Sequence, residues 1–188
     1  CGVQMDLAVI VDSSGSVDTI FDRAMVFLDE LIQGFDVDDD LVRVSIFTFG
    51  EVFQVVSSMN SYINFKAGVL NTLPFMPLYG RTDIGMALEE TANTFTTDNG
   101  DRSSVQNMIL LLTDGYSTMN PANVLTVGET LKANNRFRIM VVGTGDFPNT
   151  ADLMELASAP ASTSYYTMSR VTDPVELANT ILDDLCSV

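Results

Sequence analysis

The chain has 188 residues, 46% of them hydrophobic, and its 9 basic against 25 acidic side chains give a formal net charge of −16. That length suits one domain with its own core, expected to span residues 1–188. No apolar stretch is long enough to enter and cross a membrane. The charge excludes nucleic acid and anionic membranes as partners, since both would be repelled, whereas cations and basic patches would be attracted. An acidic surface also keeps a protein soluble, and that role stands beside the first.

Histidine is absent, which excludes Ser-His-Asp and Cys-His catalysis and histidine-ligated zinc. The two cysteines, Cys1 and Cys186, stand at the two ends. Termini of compact domains often lie close together, so a Cys1–Cys186 disulfide is expected, and with it an oxidising compartment. The other reading is two free terminal thiols. The chain runs from Cys1 straight into a strand with no leader; secretion requires one that has been removed or lies outside this sequence.

The first strand covers about Met5 to Val11. Leu7 to Val11 is an unbroken, partly β-branched apolar run, as in a strand buried on both faces of a parallel sheet. Asp12 falls at its carboxyl end, the edge where open α/β sheets bind ligands. Gly15 permits a tight turn. Ser16 is placed to cap the next helix or, with Asp12 and Ser14, to offer oxygen to a hard cation; the spacing allows both.

From Val17 the pattern is helical, with Ile20, Phe21, Ala24, Phe27, Leu28, Leu31 and Ile32 on one face and Asp18, Asp22 and Asp29 on the other. Gly34 reads as a C-terminal cap. Asp36 to Asp40 is an acidic run without the glycine and distal glutamate of an EF-hand, so it reads as a solvated turn. Leu41 to Phe49 is a strand, and Val52 to Val56 returns as an antiparallel edge partner after Gly50-Glu51. A short helix is expected over Tyr62 to Leu73, then a Pro- and Gly-containing loop at 74–80.

Arg81-Thr82-Asp83 opens a helix that buries Ile84, Ala87, Leu88 and Thr91. Thr97 to Asp101 is a polar turn. Val105 to Leu112 is a second apolar strand, ending at Thr113-Asp114-Gly115. Pro121 opens a helix to about Asn134. Phe137 to Val142 is a third apolar strand, closed by Gly143-Thr144-Gly145-Asp146. A short helix (Asn149 to Ala157), a short strand (Tyr165 to Met168) and a final helix capped by Asp173 and ending at Cys186 complete the chain. Strands alternate with helices, so the fold class is α/β: a doubly wound, mostly parallel sheet with one antiparallel edge strand and helices on both faces.

In such a sheet Asp12 and Asp114 can end two central neighbours and meet in one crevice, with the Thr82 hydroxyl at the same edge. Asp12-Ser13-Ser14-Gly15-Ser16 resembles the DxSxS motif of von Willebrand factor type A (VWA) domains. Thr82 and Asp114, in Gly80-Arg81-Thr82-Asp83-Ile84-Gly85-Met86-Ala87-Leu88 and Leu110-Leu111-Leu112-Thr113-Asp114-Gly115, match that family's two other metal-site positions. The likeness covers essentially the whole chain and implies a Rossmann-like VWA fold with a metal-ion-dependent adhesion site. On that resemblance Ser14, Ser16 and Thr82 supply hydroxyls, and Asp12 and Asp114 bind directly or through water. One position is left open for a partner's carboxylate. Mg²⁺ suits a small oxygen site, with Mn²⁺ or Ca²⁺ as substitutes.

The resemblance implies a secreted adhesion or matrix module, in the extracellular matrix or on a cell-surface ectodomain. Its ligand would be an extracellular protein: a matrix protein such as a collagen-like one, or a cell-surface protein. A Cys1–Cys186 bond would tether the last helix beside the first strand, closer to matrix and plasma members than to integrin inserted domains. The alternative is a structural or mineral-associated matrix module in which bound cations and the acidic surface matter more than one ligand. An enzyme is not expected: a haloacid-dehalogenase-type phosphatase needs a second acid where Ser14 stands, no Walker lysine is present, and Gly143-Thr144-Gly145 is only loosely like a dinucleotide loop.

Overall fold

The computed structural model describes residues 2–73 and 75–186, apart from the side chains of 18 and 19. Six strands form one sheet in the order β3-β2-β1-β4-β5-β6. They are β1 (Met5–Asp12), β2 (Val42–Phe49), β3 (Phe53–Ser57), β4 (Gln106–Thr113), β5 (Phe137–Thr144) and β6 (Tyr165–Met168). All neighbours pair in parallel except β2 and β3, so β3 is the antiparallel edge, as the hairpin signal implied. The order reverses direction at β1, which has β2 on one side and β4 on the other. That reversal is a topological switch point, and a crevice opens there at the strands' carboxyl ends.

The unbroken apolar runs exist because the central strands are covered twice. Leu7, Val9 and Val11 of β1 enter one core with Met108, Leu110 and Leu112 of β4. Ala8 and Ile10 enter the other with Ile109 and Leu111. The first core is roofed by α1 (Asp18–Gly34) and α6 (Pro174–Cys186), through Phe27, Leu28, Leu31 and Ile181. The second is roofed by α3 (Ile84–Thr94), α4 (Asn123–Ala133) and α5 (Thr150–Leu156), through Ile84, Leu88, Val127 and Leu153. Period-two alternation into two cores leaves no polar face on β1, β4 or β5. Among the described residues no helix is long and apolar enough to cross a membrane.

Four expectations change. Gly34 is not a left-handed cap: it stays helical, and Phe35 turns to extended backbone. Its glycine is needed for packing, because a Cβ there would lie 2.2 Å from Leu182 Cδ1 of α6. The helix expected over Tyr62 to Leu73 shrinks to α2 (Lys66–Leu70), because Asn64 adopts φ +56° and breaks it from the turns before. Ser16 does not cap α1, whose first turn lacks a side-chain cap at Val17.

The acidic turn, fourth, is more than solvated. Asp40 takes Arg43 through Nε and Nη2 at 2.7 and 2.8 Å. Arg102 Nε donates to Asp6 Oδ1 at 2.8 Å, with Asp6 fully buried. Arg102 also donates to the carbonyls of Met5, Leu41 and Asp40. This guanidinium network closes the amino ends of β1 and β2, away from the crevice. Pro74 of the expected loop at 74–80 lies outside the described residues.

Candidate metal centre

β1 and β4 pair with Val11 opposite Leu112, so Asp12 and Thr113 sit side by side where the strands end. Asp12 is 2% exposed. Its Oδ1 accepts the Ser14 amide at 2.9 Å, and its Oδ2 accepts the Thr113 hydroxyl at 2.7 Å. Burial pushes its carboxyl up to about 6; the hydrogen bonds from Thr113 and Ser14 pull it down, and the nearby Asp114 charge pushes it up again. Asp114 follows β4, with Oδ1 accepting the Tyr116 amide at 3.0 Å. Gly115 takes φ +82° so that the chain can turn there, and a Cβ would meet Leu153 at 2.8 Å.

Ser14 is buried and Ser16 exposed, and their hydroxyl oxygens are 3.2 Å apart. Ser16 is therefore turned to its neighbour hydroxyl and not to the helix end. The Ser13 hydroxyl points elsewhere. It donates to the Phe49 carbonyl at 3.2 Å and accepts from Thr48 Oγ1 at 2.7 Å and from the Leu78 amide at 3.2 Å. The Ser13 carbonyl accepts the Tyr79 amide at 2.8 Å. Ser13 thus stitches β1, β2 and the loop before α3 together. The Gly15 amide reaches the Gly80 carbonyl at 3.3 Å and closes the same seam.

That loop delivers Thr82, which is 2% exposed. Its amide donates to Thr118 Oγ1 at 3.0 Å, and its carbonyl accepts the amides of Thr118 and Met119 at 3.0 and 2.9 Å. Among the described residues its own hydroxyl has no hydrogen bond. Asp83 caps α3 by accepting the Met86 amide at 3.0 Å, and its other oxygen accepts Asn120 Nδ2 at 2.8 Å. The segment after Asp114 therefore clamps the segment that carries Thr82.

Of the five expected residues, Asp12 is hydrogen-bonded to Ser14, the Ser14 and Ser16 hydroxyls meet, Asp114 acts on Asp12 through its charge, and Thr82 rides on the loop that Ser13 and Gly15 tie to the same motif. The positioning groups Ser13, Thr113, Ser117, Thr118 and Asn120 were not singled out from the sequence. Among the described residues no three acidic, cysteine or histidine groups cluster to hold a metal. What converges is two carboxylates with hydroxyls, a donor set that suits a small hard cation. Cys186 ends α6 and is not free; Cys1, its expected partner, lies outside the described residues.

Comparison with known proteins agrees with this architecture. The chain is 29% identical to mouse collagen alpha-4(VI) over 188 residues, covering 97% of this chain and 8% of that one. It is 25% identical to human matrilin-1 over 194 residues, covering 97% of this chain and 38% of that one. The structure of proximal thread matrix protein 1 from the mussel byssus, with a zinc-occupied MIDAS motif, superposes with a TM-score of 0.87 at 21% identity. That superposition covers 99% of this chain and 49% of that one. The chain therefore spans less than half the length of each of these proteins. Residues 6–180 match the von Willebrand factor type A domain, and the chain belongs to that family.

Proposed function

We propose that the chain, taken as one domain over 1–188, is a secreted adhesion or matrix module that binds protein ligands through a divalent cation. Asp12, Ser14, Ser16, Thr82 and Asp114 would hold the cation. The observation that carries this reading is the pair Asp12 and Asp114: two buried carboxylates at one strand edge, Asp12 pushed up to about 6 by burial and by the Asp114 charge, beside the Thr113, Ser14 and Ser16 hydroxyls. A cation would relieve both the burial cost and the mutual repulsion. The Thr82 hydroxyl, which has no hydrogen-bond partner among the described residues, supports the same reading.

When bound, the cation supplies a Lewis-acidic point for a carboxylate from the ligand. Neutral hydroxyls leave it residual positive charge for that purpose. Mg²⁺ fits best, with Mn²⁺ or Ca²⁺ as substitutes. The chain's own part is to orient the oxygens: Thr113 and the Ser14 amide fix Asp12, the Tyr116 amide fixes Asp114, and the loop at 117–119 fixes Thr82. Nothing in this set forms a nucleophile and base, so we read the chain as a non-enzymatic binder. Its similarity to collagen and matrilin chains and to a thread matrix protein supports an extracellular matrix or cell-surface setting, with a collagen-like matrix protein or a cell-surface protein as ligand.

A second reading has its own observation. The net charge of −16 favours a structural or mineral-associated role in which many loosely held cations matter more than one ligand. Surface plasmon resonance against matrix proteins separates the two. At about 0.15 M salt, charges beyond roughly 8 Å are screened, but a coordinated carboxylate is not. Metal-bridged binding should survive moderate salt, vanish in EDTA and weaken in Thr82→Ala, which leaves net charge unchanged. Binding indifferent to both EDTA and Thr82→Ala would refute the cation reading.

A further inference from the structure

β3 is an open edge of the sheet. Among the described residues its ladder is with β2 alone, so one side of its backbone keeps amides and carbonyls for another strand. Edge strands usually guard against such pairing with charges, lysine above all, or with proline. β3 has neither. Val52 to Phe65 carries no charged side chain, in a chain that is 18% charged. The nearest charge before this run, Glu51, is held by Arg81 at 3.1 Å. The register shift between Ile46 and Phe47 touches only the Ser57 end, and Phe53, Gln54 and Val55 pair regularly with Phe49, Thr48 and Phe47. Side chains alternate along the strand. Phe53 turns inward and stacks on Phe47, with ring centroids 5.0 Å apart. Val55 shares its face but is 59% exposed, and Val52, just before the strand, is 54% exposed. Val56, on the opposite face, packs against the first core. A molecule of net charge −16 thus has one edge that is extended, uncharged and partly apolar.

We propose that a second copy of this chain pairs with β3, antiparallel across a two-fold axis at Gln54, and joins two six-stranded sheets into one. The inference goes beyond the cation reading and does not rest on it. Charge points to this occupant. Two copies repel wherever their acidic surfaces meet, whereas this edge brings backbone to backbone with no carboxylate opposite another. The edge is also self-complementary. An axis at Gln54 sets Val55 against Phe53 of the second copy, an aromatic and β-branched pair, and Val52 against Val56, so both exposed valines are covered. Gln54 meets its own copy, carboxamide to carboxamide, each able to donate and to accept. A two-fold contact uses the same edge on both copies and therefore closes at the dimer. A strand of five residues offers far less than the roughly 1,200 Å² of a stable complex, so the dissociation constant is on the order of 0.1–1 mM. Such an affinity acts where copies of the domain are packed together.

The test is sedimentation velocity of the chain up to about 1 mM, in EDTA and in Mg²⁺, with hydrogen exchange followed at residues 53–57. The mass should climb from monomer to dimer in both solutions, and the amides of 53–57 should slow as it does. Raising salt from about 0.01 to about 1 M shortens the screening length from about 30 to about 3 Å and should tighten association about tenfold. Gln54→Lys sets like charges directly opposite and should abolish the dimer, although it makes the molecule less acidic. Gln54→Glu should do the same, and an equal mixture of the two variants should dimerise again, which neither could do if unfolded. Mg²⁺ binding, measured by calorimetry, should be the same in wild type and Gln54→Lys. A monomer at every concentration in high salt overturns the proposal, as does a dimer that Gln54→Lys leaves intact. A dimer present in Mg²⁺ and lost in EDTA moves the contact to the cation site and overturns it too. A chain that stays monomeric but slows at 53–57 with the peptide acetyl-Val-Thr-Val-Thr-Val-amide overturns the second copy in favour of a foreign strand.

Discussion

The Thr113 hydroxyl donates to Asp12 Oδ2 at 2.7 Å across the seam between β1 and β4. Both residues are buried, and the bond fixes one oxygen of Asp12 while the Ser14 amide fixes the other. Thr113→Val keeps the shape and removes the donor. An unsatisfied buried acceptor costs about 1–3 kcal/mol. We expect that loss in urea unfolding of the metal-free protein, together with weaker Mg²⁺ binding by calorimetry. An unchanged unfolding midpoint would show that the bond carries nothing.

Asp12 also sets a pH dependence. Its carboxyl lies near 6 in the fold and at 3.8 when unfolded. The folded state therefore holds the proton more tightly, and the metal-free fold is penalised once Asp12 ionises. At about 1.4 kcal/mol per pH unit, the gap from 3.8 to about 6 amounts to about 3 kcal/mol at most. The penalty is absent below pH 3.8, grows between there and about 6, and is full above. In EDTA, Asp12→Asn should be more stable than wild type at pH 7, and the difference should close as pH falls to about 4. Paired melts across that range decide it. A constant difference would place its cause elsewhere.

Gly34→Ala sets helix propensity against packing. Propensity favours alanine by about 1 kcal/mol. A Cβ 2.2 Å from Leu182 Cδ1 forces α6 or the leucine to move, at about 1–3 kcal/mol. The net expectation is a loss of about 1 kcal/mol, and Leu182→Ala in the same chain should make Gly34→Ala stabilising. Chemical denaturation of the four variants completes the cycle.

The Cys1–Cys186 pairing is tested by intact mass under denaturing conditions. The native protein should weigh less than the reduced form by the pair of hydrogens lost on oxidation. Closing nearly the whole chain contributes up to about 5 kcal/mol, less whatever order the reduced chain retains. Thiols that alkylate without reductant would disprove the bond.

The parts of the fold legible in the sequence were those with strong periodicity. β1, β4 and β5 are readable because each is buried on two faces and therefore apolar throughout. α1 and α6 are readable from stripes at helical spacing. The sequence pattern overextends α2 because Tyr62 and Ile63 continue its apolar stripe, and nothing local shows that Asn64 leaves the helical region. In the site, the oxygen-bearing residues could be named because they share one short motif and two strand-end positions. Their supports could not. Ser13 sits inside the motif but faces β2, and only the parallel register shows that Thr48 and Phe49 meet it. The clamp from Ser117 and Thr118 onto Thr82 joins segments 35 and 36 residues apart.

The guanidinium network at the amino ends of β1 and β2 has an outward consequence. Arg43 and Arg102 are 18% and 16% exposed and spend their charge on Asp40 and Asp6, while other carboxylates, such as Asp39 and Glu90, face solvent. The protein thus meets its surroundings as a polyanion with a counter-ion cloud. Crowded copies would hold one another apart by osmotic pressure at low ionic strength. They would close up as salt thins that cloud, so that the hydration of any material packed with this domain follows the ions around it.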